Sequence, residues 1–135
     1  MNGMQAVTNL SEYIAKNIVD IKVFKFEKPT NFEGDYICLN YLNISYGRAV
    51  NTSCIVNINL HATDMIDSQP DTKKLQRMSE RIFSLIPCRN IDTEDDEREL
   101  IIGRAWYNIE SDSNCIKDND GTHFINIRVQ VTFTN

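Results

Sequence analysis

The sequence predicts an α+β domain: a mainly antiparallel sheet of about five strands packed by two helices, in the order α-β-β-β-α-β-β. Three observations predict it. Two stretches carry apolar residues at helical spacing, five alternate as strands do, and the strands come in runs rather than in strict alternation with helices. The 135 residues suit one domain, and a chain of that length buries roughly 68–70 % of the surface it exposes when unfolded. Residues 1–135 are therefore expected to form a single α+β domain around one sheet.

The clearest element is the second helix, expected from Asp71 to Ile86. Leu75, Met78, Ile82, Leu85 and Ile86 recur at spacings of three and four, while Lys73, Lys74, Gln76, Arg77, Glu80 and Arg81 take the other side. Asp71 can accept the free amide hydrogens of the first turn, and Pro87 stops the helix. The first helix is expected over about residues 3 to 20, on the stripe Met4, Val7, Leu10, Ile14, Ile18 and Ile21, with Asn2 and Gln5 as a capping box.

A short strand follows from Lys22 to Glu27, then loop chemistry from Lys28 to Asp35. The stretch Tyr36 to Tyr46 is apolar on both faces, with Tyr36, Cys38, Leu42, Ile44 and Tyr46 on one and Ile37, Leu39 and Tyr41 on the other. A strand with one wet side alternates cleanly, so each side of this one needs a cover. Two explanations stay open: a central strand with a helix on one face and a long loop over the other, or a subunit interface. Gly47 and Arg48 begin a connection to a strand from Ser53 to Ala62, with Cys54, Val56, Ile58, Leu60 and Ala62 on one face and Ile55, Asn57, Asn59 and His61 on the other.

Beyond the second helix, the run Asp92 to Glu99 is acidic and reads as a solvated loop. Leu100 to Glu110 reads as one strand, with Ile101, Ala105, Tyr107 and Ile109 facing one way and Arg104 and Trp106 the other. Trp beside Arg on an outer face is a composition enriched at interfaces, so Trp106 is the first candidate for a partner contact. Ser111 to Thr122 is expected to be a loop ending in the Asp120-Gly121 turn. The last strand then places His123, Ile125, Ile127, Val129, Val131 and Phe133 on its apolar face.

Composition narrows the function classes. A net charge of -5 weighs against sequence-independent nucleic-acid binding, which needs clustered cations to release counterions. No run approaches the roughly 18 apolar residues of a spanning helix, and the first residues lack the pattern of a secretory leader, so a cytoplasmic protein without membrane contact is expected. Cys38, Cys54, Cys88 and Cys115 form no C-x-x-C pair, and Cys38 and Cys54 read as small core residues.

Chemical motifs mostly fail. His61 and His123 fall on opposite faces by strand phase, so no shared metal site is expected. The Asp118-Asn119-Asp120-Gly121 turn resembles a calcium loop, but its first and last ligand places are Ile116 and Ile127. No serine sits in a G-x-S-x-G setting, and no glycine-rich phosphate loop exists. Neither a catalytic residue, a metal site nor a cofactor is expected.

The layout resembles that of the small tail-terminator, or tail-completion, proteins of long-tailed bacteriophages. The resemblance is carried by the N-terminal helix, the strand entering a proline loop (Phe24 to Pro29), the long strand pair from Tyr36 to Ala62, and the D-x-x-K-L helix start at Asp71 to Leu75. Strand Leu100 to Glu110, a polar turn and the last strand from Ile125 to Phe133 complete it. The acidic loop around Asp95 and, within the Leu100 to Glu110 strand, the stretch around Trp106 are not matched. The resemblance implies a non-enzymatic virion protein forming a hexameric ring that ends tail-tube growth and joins the tail to the head connector. Its implied partners are its own copies, tail-tube and head-connector proteins, and DNA passing through without sequence recognition. The interface candidates are Trp106, Arg104, Tyr36, Leu39 and Tyr41. The alternative is a small cytoplasmic enzyme or ligand-binding domain with a pocket near His61 and Asp64.

Overall fold

The apolar positions sort the chain into two helices laid on one face of a single sheet. The structure, a computed structural model, describes residues 2–43, 53–88 and 98–133. In chain order the elements are α1 (Gly3–Asn17), β1 (Lys22–Lys25), β2 (Tyr36–Asn43), β3 (Ser53–Thr63), α2 (Thr72–Leu85), β4 (Ile101–Ile102), β5 (Ala105–Asp112), β6 (Ile116–Lys117) and β7 (Thr122–Phe133). The strands lie side by side in the order β1-β2-β3-β7-β5-β4, with β6 also on β7. The end of the expected Tyr36 to Tyr46 strand, the Gly47 and Arg48 connection and most of the acidic run lie outside the described residues.

Both expected helix starts are present. Asn2 Oδ1 accepts from the Gln5 amide at 2.9 Å and the Gln5 side chain accepts from the Asn2 amide at 3.0 Å, so two end donors are satisfied reciprocally. Asp71 Oδ1 accepts from the Lys74 amide at 3.1 Å in the same role for α2. At the other end of α2, Arg98 donates to the carbonyls of Ser84 and Phe83, a cation against the negative end of the helix.

Three boundaries differ from the expectation. Helix α1 ends at Asn17 rather than near residue 20, because Ile18 is already extended and opens a β-branched run with Val19. Met4 is exposed, and Gly3 and Ala6 take the buried side instead. A methyl group at Gly3 would overlap the Tyr41 ring, so the missing side chain lets that ring seat against the helix. The expected strand Leu100 to Glu110 is a hairpin: Ile102 pairs with Ala105 around Gly103 and Arg104. Gly103 has φ 61°, which the first position of a two-residue II′ loop requires. A further strand, β6, occupies part of the segment expected to be loop.

The sheet is mixed rather than wholly antiparallel, since β1 runs parallel to β2. Strand β1 stops at Phe26, whose φ of 70° and flanking bond from the Glu27 amide to the Lys25 carbonyl, at 2.8 Å, make a tight three-residue turn. The chain then crosses back over the sheet and enters β2 in the direction it took through β1. The return segment lays Phe32 against Phe24 and Tyr36. Tyr36 and Cys38 are thereby buried on one side of β2, and Ile37 and Leu39 under the helices on the other. The central-strand explanation accounts for this part of β2.

The core lies between sheet and helices. Leu39, Ile58 and Ile127 form one row across β2, β3 and β7, all fully buried. Against such rows pack Val7, Leu10 and Ile14 of α1, and Leu75, Met78 and Ile82 of α2. The helices are tied to each other as well: the Tyr13 hydroxyl donates to the Leu85 carbonyl, and Arg81 grips Asp20 through two bonds of 2.6 and 3.0 Å. Among the described residues, no helix is long and apolar enough to cross a membrane.

One surface link has a measurable pH signature. Asp35 Oδ1 accepts from the Thr63 amide at 2.8 Å, and Lys74 lies 3.1 Å from the other oxygen. Burial pushes the Asp35 carboxyl up, but the Thr63 amide and the Lys74 ammonium outweigh it and hold it below the usual carboxylate range. A carboxylate whose folded pKa is depressed stabilises the fold above its unfolded value, about 3.9, and loses that contribution as pH falls through the folded value. Asp35→Asn therefore costs about 1 kcal/mol at pH 7 and less at pH 2. Urea midpoints for both proteins at the two pH values measure this; an equal difference at both would remove the ionic contribution.

Candidate functional site

The side of the sheet away from the helices divides into a closed end and an open end. Its side chains come from alternate strand positions: Tyr36, Cys38, Asn40 and Leu42 on β2, Ile55, Asn57, Asn59 and His61 on β3, and Phe124, Asn126, Arg128 and Gln130 on β7.

At the closed end, the His61 imidazole is sandwiched between two rings. Tyr36 stacks on one face at 4.2 Å and Phe124 on the other at 4.7 Å, because the three residues are register partners across β2, β3 and β7. The turn between β6 and β7 then folds over the edge of this stack. Asp120 accepts from the Tyr36 hydroxyl at 2.6 Å and from the Thr122 hydroxyl at 2.5 Å. The Thr122 proton is thus spent on Asp120, so the 2.9 Å contact between His61 Nδ1 and Thr122 Oγ1 is a bond donated by the imidazole. Asp118 Oδ2 lies 3.7 Å from the same nitrogen, and Lys28 Nζ lies 4.0 Å from Asp120.

The electrostatics follow from this packing. Burial holds the His61 pKa below the usual histidine range, against the upward pull of Asp120 and Asp118, so the ring is neutral near pH 7. Burial and the bond to Asp120 push the Tyr36 phenol far up, keeping it a donor. Asp120 is pushed up by burial and drawn further down by Thr122 and Tyr36, and stays ionised. A small cavity of about 190 Å³ adjoins the cluster, walled by Lys28, Phe32, Tyr36, Asp120 and Thr122.

His123 is on the opposite face and has its own partner, Asp64 Oδ1 at 2.5 Å from Nδ1. The expectation that the two histidines cannot share an ion agrees with this placement. Of the two residues at which a pocket is expected, His61 packs beside this cavity and Asp64 is the partner of His123.

The open end carries amides and exposed apolar groups. Asn57 donates to Asn40 at 2.9 Å, and Asn126 donates to Asn57 and Asn59 at 3.2 and 2.9 Å, a polar ladder across β2, β3 and β7. Beyond it, Leu42, Trp106 and Ile101 are each about half exposed, at 48, 46 and 52 %. Trp106 and Ile101 are register partners on β5 and β4 and so form one patch.

No protein-family model matches this chain, and comparison with curated proteins returns no match.

The structure treats the five interface candidates unequally. Trp106 is exposed on the open end, as expected. Arg104 is exposed but sits in the β4–β5 hairpin loop, not beside Trp106 on a strand, because Gly103 turns the chain there. Leu39 is fully buried under the helices and Tyr36 is buried in the His61 stack, so neither is available to a partner of this monomer. Tyr41 is partly covered, on the helix side against Gly3. Of the cysteines, Cys38 and Cys54 are buried as expected, and burial pushes both thiols up to about 11, away from the thiolate form that reacts. The residues missed from sequence are Asp118, Asp120 and Thr122. Their turn reads as a plain hairpin, and only the β3–β7 register brings it to His61.

Proposed function

We propose that this chain is a non-enzymatic structural subunit of a phage tail or neck, closing into a homo-oligomeric ring that ends tail-tube growth and joins the tail to the head connector. The observation that carries this reading is one-sided packing: both helices cover one face of the sheet, and the other keeps Leu42, Trp106 and Ile101 half exposed. A second copy of the chain is the occupant that fits, since repeated contacts of one kind between neighbours generate rings. The order of helices and long strands, and the resemblance drawn from it, support the same assignment. Six copies is the ring size that resemblance implies, and the site of action is the virion, after assembly in the host bacterial cytoplasm. A net charge of -5 suits a lumen through which DNA slides, because like charge denies it phosphate contacts.

The test is Trp106→Glu, read by light-scattering mass and negative-stain imaging over a range of concentration. Wild-type protein is expected as rings of about six subunits. The variant is expected to keep its circular dichroism spectrum and fall to monomer. Rings undiminished in a folded Trp106→Glu protein would remove this patch from the interface, and a wild-type monomer both alone and with completed tails would overturn the assignment.

A further inference from the structure

We propose that His61, Asp118 and Asp120 form a binding site for one divalent first-row transition-metal ion, which pins the β6–β7 turn to β3. The proposal is independent of ring assembly. One donor atom from each of the three side chains can be chosen so that all lie within 4.8 Å of one another. One pair, His61 Nδ1 and Asp118 Oδ2, is 3.7 Å apart. That is too long for a hydrogen bond, yet two donors each about 2.0–2.2 Å from a common ion lie about 3–4 Å apart.

The imidazole supplies a second observation, independent of the acidic turn. It comes from β3, more than fifty residues earlier in the chain, and is 6 % exposed. The rings of Tyr36 and Phe124 fix its plane and aim Nδ1 at the turn. An imidazole held in one orientation needs no reordering to present its nitrogen to an ion. The surroundings also resemble an outer shell: Asp120 is held by the Tyr36 and Thr122 hydroxyls, as ligating carboxylates are. The charge fits a cation, since two carboxylates face a neutral ring and one ammonium, that of Lys28 at 4.0 Å from Asp120.

The donor set selects the class of ion. One nitrogen and two carboxylates suit zinc or manganese, whereas calcium takes six to eight oxygens and magnesium a near-ideal octahedron of them. In the geometry described above, His61 donates from Nδ1 to Thr122. Binding uses the lone pair of that nitrogen, so the ring proton moves to Nε2 and the Thr122 contact is released.

The experiment titrates dialysed full-length protein with zinc chloride by calorimetry and thermal melting, alongside manganese and calcium chlorides. One saturable site is expected for zinc or manganese, with a Tm rise of about 10 °C at a hundredfold excess over Kd. Asp118→Asn and His61→Phe are expected to lose the shift, the latter keeping an aromatic ring in the stack. His123→Gln and Cys115→Ser are expected to keep it, which separates this site from the other histidine and the exposed thiol. Should His61→Phe unfold, Asp118→Asn, at a turn position, carries the test alone. The absence of saturable binding at millimolar ion, a shift that survives Asp118→Asn, or calcium binding as tightly as zinc would each overturn the proposal.

Discussion

Tyr107→Ala is expected to lower the unfolding free energy by about 3–5 kcal/mol, while Tyr107→Phe leaves it unchanged or raises it by up to about 1 kcal/mol. Tyr107 is the largest fully buried side chain, facing the core from β5 beside Val131. Truncation removes its transfer free energy and leaves a cavity between sheet and helices. The hydroxyl behaves differently, because among the described residues no group meets it in full hydrogen-bonding geometry. Burial pushes the phenol up to about 12, against a downward pull from the Asn9 side chain. Deleting the oxygen therefore removes a desolvated, unpaired group. Urea unfolding of both variants measures the contrast, and a loss above about 1 kcal/mol for Tyr107→Phe would mean that the hydroxyl is satisfied.

Ile58→Ala is expected to cost about 2–5 kcal/mol, and Ile55→Ala, three residues away on the same strand, less than about 1. Ile58 sits in the fully buried row with Leu39 and Ile127. Ile55 points to the open end and is only partly covered. Measured on the monomer at low concentration, equal losses would show that the open end is as densely packed as the core. Measured on the assembled ring, a larger Ile55 effect is the expected signature of a neighbour seated there.

Local chemistry was legible in the residues, and long-range pairing was not. Both helix starts could be read because Asn2 with Gln5, and Asp71, satisfy amides only three positions away. The alternation of β3 and β7 could be read because one face of each meets a continuous core. The parallel pairing of β1 with β2 could not, since it depends on the path of the chain between Lys25 and Tyr36. The β4–β5 hairpin turns on Gly103 and Arg104 alone, two residues between apolar pairs whose alternation also fits a single strand. His61 was assigned to the correct face, but its burial depends on Tyr36, Phe124 and the Asp118–Asp120 turn, which sequence separation hides.

The position of β7 bears on the order in which the fold can be made. It is the last of the described strands, yet it lies between β3 and β5 and pairs with both along most of its length. During synthesis β1, β2 and β3 can pair as they emerge, but among the described residues β5 has beside it no more than β4 and the bridge from Pro87 and Cys88 until β7 follows. The two halves of the sheet therefore join in a single late event, after the ribosome has released nearly the whole domain. Until then β3 offers an unpaired edge. A nascent chain halted before Thr122 would present that edge to other copies, making misassembly, rather than slow chemistry, the hazard of its biogenesis.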